Sequence, residues 1–307
     1  MGLNSRKILG INITIDTKDK VLEEIEKGFK TKHLEPRTKD KKIQKPLIIF
    51  TPNPEIINFA RKDANFKEIV NSAQINIPDG VGISWALKKL YRLAVKRLSG
   101  ADFMLDLCQL SCEKGFIIGL IGGRGGIAVK TRECLMKKYL GLKVEVFEEP
   151  EIQLRTKNLE LRTNSQLFIN EIDNHRVGRK RLRHLRGGEA TTSTPRMVEE
   201  SGERYFESLT KEIQKKRIDI LFVALGFPKQ ELFINQLKDQ QLTTNDQRPF
   251  ILMAVGGAFD YIAGRTPRAP EWVRKIGLEW LYRLIREPWR LGRQIRGAEF
   301  FWRVIYK

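Results

Sequence analysis

The feature that most constrains the fold is the regular alternation of short apolar runs with helical periodicity. Strand-like segments, most of them apolar and most of them followed by an amphipathic helical pattern, occupy residues 46–50, 73–77, 116–121, 143–147, 218–225 and 250–255. Apolar strands that alternate with helices are typical of a parallel sheet covered on both faces. We therefore predict an α/β fold with a Rossmann-like, mostly parallel sheet and helices on both faces. Ahead of these runs, the alternating segment Ile8 to Ile15 predicts one strand before a helix through Phe29.

Polar clusters follow four of the predicted strands. They are Thr51-x-Asn53-x-Glu55, Pro78-Asp79-Gly80-x-Gly82, Gly226 to Glu231 and Gly256 to Asp260. In an open parallel sheet, ligands bind beyond the carboxyl ends of the strands. The clusters therefore predict one pocket at that edge.

Asp79 is the acid/base candidate in this set. Pro78 and Gly80 fix a tight turn that would direct the carboxylate toward the pocket. An Asp immediately before a helix is also favoured as an N-cap. On position alone, both interpretations stay open.

A glycine-rich turn, Gly122 to Gly126, precedes a predicted helix and resembles a phosphate cradle. Glycines also serve plain turns, and neither the G-x-x-x-x-G-K-[ST] pattern nor the acid of a dinucleotide site accompanies them. No Asp-x-Asp sequence occurs to hold a divalent metal, and no Cys/His cluster offers zinc ligands. We predict no metal and no cofactor. A sugar-nucleotide enzyme without a metal would have to stabilise its leaving diphosphate with arginines, lysines and helix dipoles.

The composition is strongly basic. The 307 residues include 56 Lys and Arg against 37 Asp and Glu, a formal charge of +19. Such a charge attracts nucleic acid, anionic lipid or phosphorylated substrates without choosing among them. Three cysteines without framework spacing favour a reducing compartment. No apolar run approaches the roughly 18 residues of a spanning helix, and no secretory signal is visible, so a soluble protein is expected.

Residues 151–204 interrupt the alternation. The range is polar, and we predict that its second half is a disordered or loosely packed insertion. Its basic cluster, residues 179–183, favours a solvated charge run over a nucleic-acid contact.

The C-terminal segment differs again, because four of the five tryptophans lie between Trp272 and Trp302. The arginines whose spacing puts them on one helix face are Arg283, Arg286, Arg290 and Arg293. Pro288 should kink or restart that helix. A basic, Trp-rich amphipathic helix is typical of a membrane-interface segment; a terminal helix docked on the core is the alternative. We predict a core of residues 1–275 and a basic amphipathic helical appendage of residues 276–307.

Seven motifs, in order, resemble the WecG/TagA/CpsF glycosyltransferases (glycosyltransferase family 26). They are TPNPE at 51–55, IPDGVG at 77–82, RLSGAD at 97–102, GLIGG at 119–123, ALGFPKQE at 224–231, VGGAFDYIAGR at 255–265 and RAPEWVRKIGLEWLYRL at 268–284. The resemblance leaves out residues 31–45 and 151–204. The family runs directly from the strand at 143–147 to a helical segment near Tyr205, and here the insertion stands between them.

The resemblance implies a reaction. Family members transfer an N-acetylmannosamine-type sugar, or its uronic acid, from UDP to a polyprenyl-diphosphate-linked N-acetylglucosamine, with inversion and without metal, in cell-surface polysaccharide synthesis. It implies a UDP-sugar donor, a lipid-diphosphate-linked acceptor and a cytoplasmic enzyme peripheral on the inner membrane face, or its equivalent in an organelle stroma. The oligomeric state, including a homo-oligomer, stays open.

The resemblance also implies roles for single residues. Asp79 would be the base that deprotonates the acceptor hydroxyl. Thr51 and Asn53 would orient acceptor and donor, Arg97 and Gln230 would complete the pocket, and Asp260 would contact the nucleotide side. Arg283, Arg290 and Arg293 would neutralise diphosphate charge once the tail folds over the site. The remaining substrate-binding candidates are Gly80, Gly122, Gly123 and Lys229.

Two other hypotheses remain. The charge of +19 motivates a nucleic-acid-binding protein, although no recognised nucleic-acid motif is present and no such partner is predicted. The insertion motivates an inactive scaffold of the same fold, against which the intact candidate residues argue.

Overall fold

The computed structural model describes residues 2–30, 46–150, 152–154, 161–163, 195–240, 250–288 and 291–306. The chain divides into two compact units, one of Met1–Glu149 with Leu209–Lys307 and one of Pro150–Ser208. The disorder predicted within residues 151–204 falls largely outside the described residues.

Strands and helices alternate along the chain. The strands are β1 (Ser5–Ile8), β2 (Ile11–Thr14), β3 (Leu47–Phe50), β4 (Ile75–Asn76), β5 (Ile117–Gly122), β6 (Lys143–Phe147), β7 (Ile152–Leu154), β8 (Leu161–Thr163), β9 (Ile220–Ala224) and β10 (Ile251–Ala254). The helices are α1 (Lys18–Lys30), α2 (Pro54–Lys62), α3 (Ala64–Asn71), α4 (Val81–Tyr91), α5 (Gly100–Lys114), α6 (Ile127–Lys138), α7 (Pro195–Lys215), α8 (Lys229–Lys238), α9 (Ala258–Ile262), α10 (Glu271–Lys275), α11 (Glu279–Arg286) and α12 (Leu291–Ile305).

Six strands form one parallel sheet in the order β4-β3-β10-β9-β5-β6. Successive residues of β10, Leu252 and Met253, point to opposite faces of the sheet and are both buried. Helices α1, α5, α6 and α9 contribute to a continuous apolar cluster that includes Leu120, Phe222 and Met253. The prediction of an α/β, Rossmann-like parallel sheet is confirmed.

The N-terminal segment corrects one prediction. Ile8 to Ile15 is not a single strand, because β1 and β2 pair as an antiparallel hairpin. Leu9 and Gly10 form its two-residue turn, with φ of 47° and 87°. Positive φ at both positions is the requirement of the tight hairpin turn that matches strand twist. Leu9 is not a usual residue there, so the sequence conceals this turn.

The smaller unit contains regular structure where the sequence predicts an irregular insertion. β7 and β8 pair antiparallel, and α7 begins at Pro195, inside the range predicted as an insertion. Pro at the first helical position is favourable, because that residue needs no intrahelical N–H partner.

The C-terminal segment belongs to the larger unit and forms three helices, α10, α11 and α12. Helix α12 packs on α2 and α4: Phe300 and Val304 are buried, and Asn58 donates a hydrogen bond of 2.7 Å to the carbonyl of Arg296. Phe301 lies 5.3 Å from Trp85, between ring centroids. None of the helices in the described part of the chain is long and apolar enough to span a bilayer.

Candidate active site

The four polar clusters lie at one edge of the sheet, because they follow β4, β3, β10 and β9, which are neighbours in that order. Asp79 follows β4, Thr51 and Asn53 follow β3, and the loops at Gly256 and Gly226 follow β10 and β9. The structure therefore brings these segments together as the sequence predicts.

Asp79 is not a helix cap. The N-cap of α4 is Gly80, and no side chain accepts a capping hydrogen bond there. The Asp79 carboxylate instead accepts a hydrogen bond from the backbone N–H of Gly100, at the start of α5. Of the two interpretations left open by position, the geometry excludes the cap.

The surroundings of Asp79 make its carboxylate more basic than usual. Burial raises its pKa from 3.8 to about 6, with a smaller contribution from the negative charge of Glu279, while Arg97 and Arg283 oppose the shift. A carboxylate with this pKa is ionised at neutral pH and takes up a proton readily, which suits general-base chemistry.

Thr51 and Asn53 shape the neighbouring loop. Asn53 is the N-cap of α2, and its Oδ1 accepts a hydrogen bond of 3.0 Å from the N–H of Ile56. Thr51 is buried, and its Cγ2 would lie 2.9 Å from a Cβ placed on Gly100. Glycine at position 100 therefore lets the start of α5 pack closely against Thr51.

A group of arginines and carboxylates joins this loop region to the C-terminal helices. Arg97 donates a hydrogen bond to Oε2 of Glu279 in α11. Arg268 donates two hydrogen bonds of 2.7 Å to Asp102 of α5, and its Nε lies 3.7 Å from Oε1 of Glu279. Glu279, 8% exposed, therefore lies between two arginines.

Arg283 lies over the loop that follows β10. Its guanidinium carbon is 4.5 Å from the centre of the Tyr261 ring, and its Nη2 would lie 3.0 Å from a Cβ on Gly257. Asp260, in α9 directly after this loop, lies 3.7 Å from Arg265. Arg290 lies outside the described residues, and so does the side chain of Arg293, so their predicted contacts stay predictions.

Lys229 and Gln230 form the first turn of α8, directly after the loop that follows β9. Gln230 is buried; its Oε1 accepts a hydrogen bond of 3.0 Å from Gly256 N–H, and its Nε2 donates one of 2.9 Å to Glu231. Gln230 thus ties two loops of the edge together. Burial lowers the pKa of Lys229, with a further lowering from Arg124 and an opposing effect of Glu149.

One backbone N–H of the glycine-rich turn, that of Gly123, is already hydrogen-bonded within the protein. Gly122 ends β5 with φ of +97°, and a Cβ there would lie 2.7 Å from the carbonyl oxygen of Ala224. The N–H of Gly123 donates a hydrogen bond of 3.2 Å to that same oxygen. This N–H is therefore not available to a phosphate, and any cradle must use the residues that follow.

Comparison with protein families decides the class of the chain. The model of the "Glycosyl transferase WecG/TagA/CpsF family" matches residues 6–177 and 187–307. The chain belongs to this family. The match also includes residues 31–45 and most of 151–204, which the motif resemblance leaves out.

This WecG/TagA/CpsF glycosyltransferase has a curated relative in Bacillus subtilis (strain 168). That relative is named N-acetylglucosaminyldiphosphoundecaprenol N-acetyl-beta-D-mannosaminyltransferase. The two are 25% identical over 248 residues, which cover 81% of this chain and 75% of the relative. The expectation of a glycosyltransferase is confirmed.

The sequence did not point to several residues that line this candidate site, namely Glu279, Arg268, Asp102 and Tyr261. All four lie inside quoted motifs, but their pairing across the chain has no local signal. Within the described residues, no three His, Cys, Asp or Glu side chains are grouped so that they could hold a metal ion. Metal independence stays a prediction.

Proposed function

We propose that this glycosyltransferase moves an N-acetylmannosamine-type sugar from a UDP-sugar to a polyprenyl-diphosphate-linked N-acetylglucosamine, with inversion and without metal. The name of the Bacillus relative supports the acceptor and the sugar. The observation that carries the chemistry is the Asp79 carboxylate, held by Gly100 at the ligand-binding edge with a pKa raised to about 6.

The proposed step is a single displacement. Asp79 takes the proton from the acceptor hydroxyl as its oxygen attacks the anomeric carbon, and the bond from that carbon to the diphosphate oxygen breaks. One attack from the face opposite the leaving group inverts the anomeric configuration. The base contributes about 10²–10⁴-fold to such a reaction.

We propose that basic side chains stabilise the negative charge of the departing UDP. Arg283 lies at the loop after β10, and Lys229 and Arg124 follow β9 and β5. Arg290 and Arg293 would join them. Fixed positive charge at the point where negative charge develops is worth more than charge that must reorganise.

We also propose that the C-terminal helices lie on the membrane that carries the acceptor. Twelve of the seventeen large apolar side chains exposed among the described residues lie between 272 and 306. Trp272 is 66% exposed, Ile285 71% and Trp302 62%. Exposed apolar side chains in this number are costly in water and mark an interaction surface, and Trp beside arginines suits a lipid headgroup region.

The reaction is tested with purified protein, a panel of UDP-sugars and a short-chain lipid-diphosphate N-acetylglucosamine. We expect UDP release with N-acetylmannosamine-type donors, undiminished by EDTA, and a product of inverted anomeric configuration by NMR. Absence of release with every donor, or release only with added divalent metal, would contradict the proposal.

Membrane association is tested with anionic liposomes. The double variant Trp272→Ser/Ile285→Ser should sediment with liposomes at least several-fold less than the wild type. Leu140→Ser is the control, because Leu140 is 86% exposed and lies between α6 and β6, outside the C-terminal segment. Equal sedimentation of all three proteins would argue against this surface.

A further inference from the structure

Glu279 is a buried carboxylate with both oxygens beside arginines. Oε2 accepts the hydrogen bond from Arg97, and Oε1 lies 3.7 Å from Nε of Arg268. Arg268 is already held by two bonds of 2.7 Å to Asp102. Arg268 therefore does not depend on Glu279 for its position, whereas the ion pair with Glu279 is the contact that holds the Arg97 guanidinium.

Arg97 is a potential competitor for the base. It lies three residues before Gly100, whose N–H holds the Asp79 carboxylate, and its charge acts on Asp79. In the described part of the chain, no hydrogen bond or ion pair joins Arg97 to Asp79. A direct Arg–Asp pair would stabilise the ionised carboxylate and make it a much weaker base.

We propose that Glu279 is a positioning residue of the transfer reaction: its ion pair with Arg97 keeps that guanidinium from pairing with Asp79, so that Asp79 stays free to accept the proton. The inference rests on the proposed role of Asp79 as base. It assigns to α11 a carboxylate that acts on the reaction through Arg97, without touching the substrate.

The electrostatics around Asp79 agree with this geometry. The charged groups that act on Asp79 are Arg97 from the loop before α5, and Glu279 and Arg283 from α11. The two arginines lower the pKa of Asp79, and Glu279 raises it. Removing the charge of Glu279 should therefore lower the pKa of Asp79 in two ways. The repulsion between the two carboxylates is lost, and Arg97 is released to pair with Asp79.

The test is a titration of the Asp79 side-chain carboxyl by ¹³C NMR on the full chain, with Asp79→Asn identifying its signal. In Glu279→Gln, which keeps the shape of the side chain, the midpoint should fall from about 6 by about one pH unit. The acid limb of kcat/KM should move in the same direction. An unchanged midpoint in folded Glu279→Gln would overturn the proposal.

Asp102→Asn is the matched control, because it weakens the contact between α5 and Arg268, the other arginine beside Glu279, without removing a charge that acts on Asp79. If Glu279 merely fastened the C-terminal segment, both variants would shift the midpoint alike, and that outcome also overturns the proposal. We expect a shift in Glu279→Gln alone.

A second variant covers the case in which Glu279→Gln does not fold. Arg97→Gln removes the restrained cation, so the midpoint of Asp79 should rise, and an unchanged midpoint would again overturn the proposal. The titration needs no substrate. Failure of the proposed function would instead appear as a wild type that releases no UDP, with the Asp79 shifts intact.

Discussion

Two neighbouring loops of the sheet edge present the same sequence signal and use it differently. After β3, Asn53 precedes α2, and after β4, Asp79 precedes the start of α4 by one further residue. Asn53 caps its helix with a hydrogen bond of 3.0 Å to Ile56 N–H. Asp79 caps nothing and accepts from Gly100. A polar residue before a helix is thus a cap in one loop and a candidate base in the next.

The difference arises from the single glycine that follows Asp79. Gly80 has φ of 86° and ψ of 153°, a conformation that is essentially confined to glycine. Gly80 takes the N-cap position, so α4 begins without a side-chain cap and the Asp79 carboxylate is released to the pocket. Pro54, by contrast, starts α2 directly after Asn53, which leaves Asn53 in the cap position.

Among these residues, Asp79 should give the largest effect when it is replaced. Asp79→Asn should lower kcat by about 10³-fold, because an amide cannot take the proton from the acceptor. It should leave the protein as stable as the wild type or more so, since no cap is lost. Near-normal turnover in UDP-release assays would remove the base assignment; a large loss of stability would restore the capping interpretation.

The pH dependence of stability tests the raised pKa itself. With a folded-state pKa of about 6 against an ordinary 3.8, the folded state holds its proton more tightly than the unfolded state. The contribution of Asp79 to stability is therefore fully present below about pH 4 and declines as the pH rises through 6. The loss reaches about 3 kcal/mol at most. Denaturant unfolding of wild type and Asp79→Asn should diverge between these pH values, and parallel curves would contradict the shift.

Gly80 tests the cause of the difference. A Cβ at Gly80 would meet no atom within 4 Å, so Gly80→Ala should cost about 2 kcal/mol from backbone strain alone. Displacement of Asp79 should lower activity by about 10-fold or more, since a misplacement of about 1 Å can cost up to about 10²-fold. Gly115→Ala is the control: its φ is 73° with equally open space, but it ends α5 away from the edge. Thermal unfolding and turnover are measured for both variants. If only Gly80→Ala loses activity, the loss arises from displacement of Asp79 and not from backbone strain in general.

Much of this edge is predictable from sequence because it depends on local patterns. Apolar runs such as Leu47–Phe50 and Ile251–Ala254 indicate the strands, and the parallel sheet then brings together the polar residues that follow them. The hairpin turn at Leu9 and Gly10 could not be predicted from the sequence, because leucine is an unusual residue at positive φ.

The contacts around Asp79 could not be predicted, because they depend on residues far apart in the chain. Arg97 and Glu279 are separated by 182 positions, and a glutamate in a charged helix resembles any solvated residue. The hydrogen bond that Gln230 accepts from the N–H of Gly256 could not be predicted either, because only the fold brings these two residues together.

Replacement of Asn53 should have the smallest effect, and it tests whether this residue does more than cap α2. Asn53→Ala should cost about 1 kcal/mol through the lost cap, as should the control Asp63→Ala, whose carboxylate caps α3 with a hydrogen bond of 2.9 Å to Phe66 N–H. Asn53→Asp restores a capping oxygen but not the amide that would donate to a substrate. We expect Asn53→Asp to recover stability and not full activity. If Asn53→Asp recovers both activity and stability, Asn53 serves only as a cap. The loop after β3 would then have a structural role, and the loop after β4, with Asp79, would carry the chemistry.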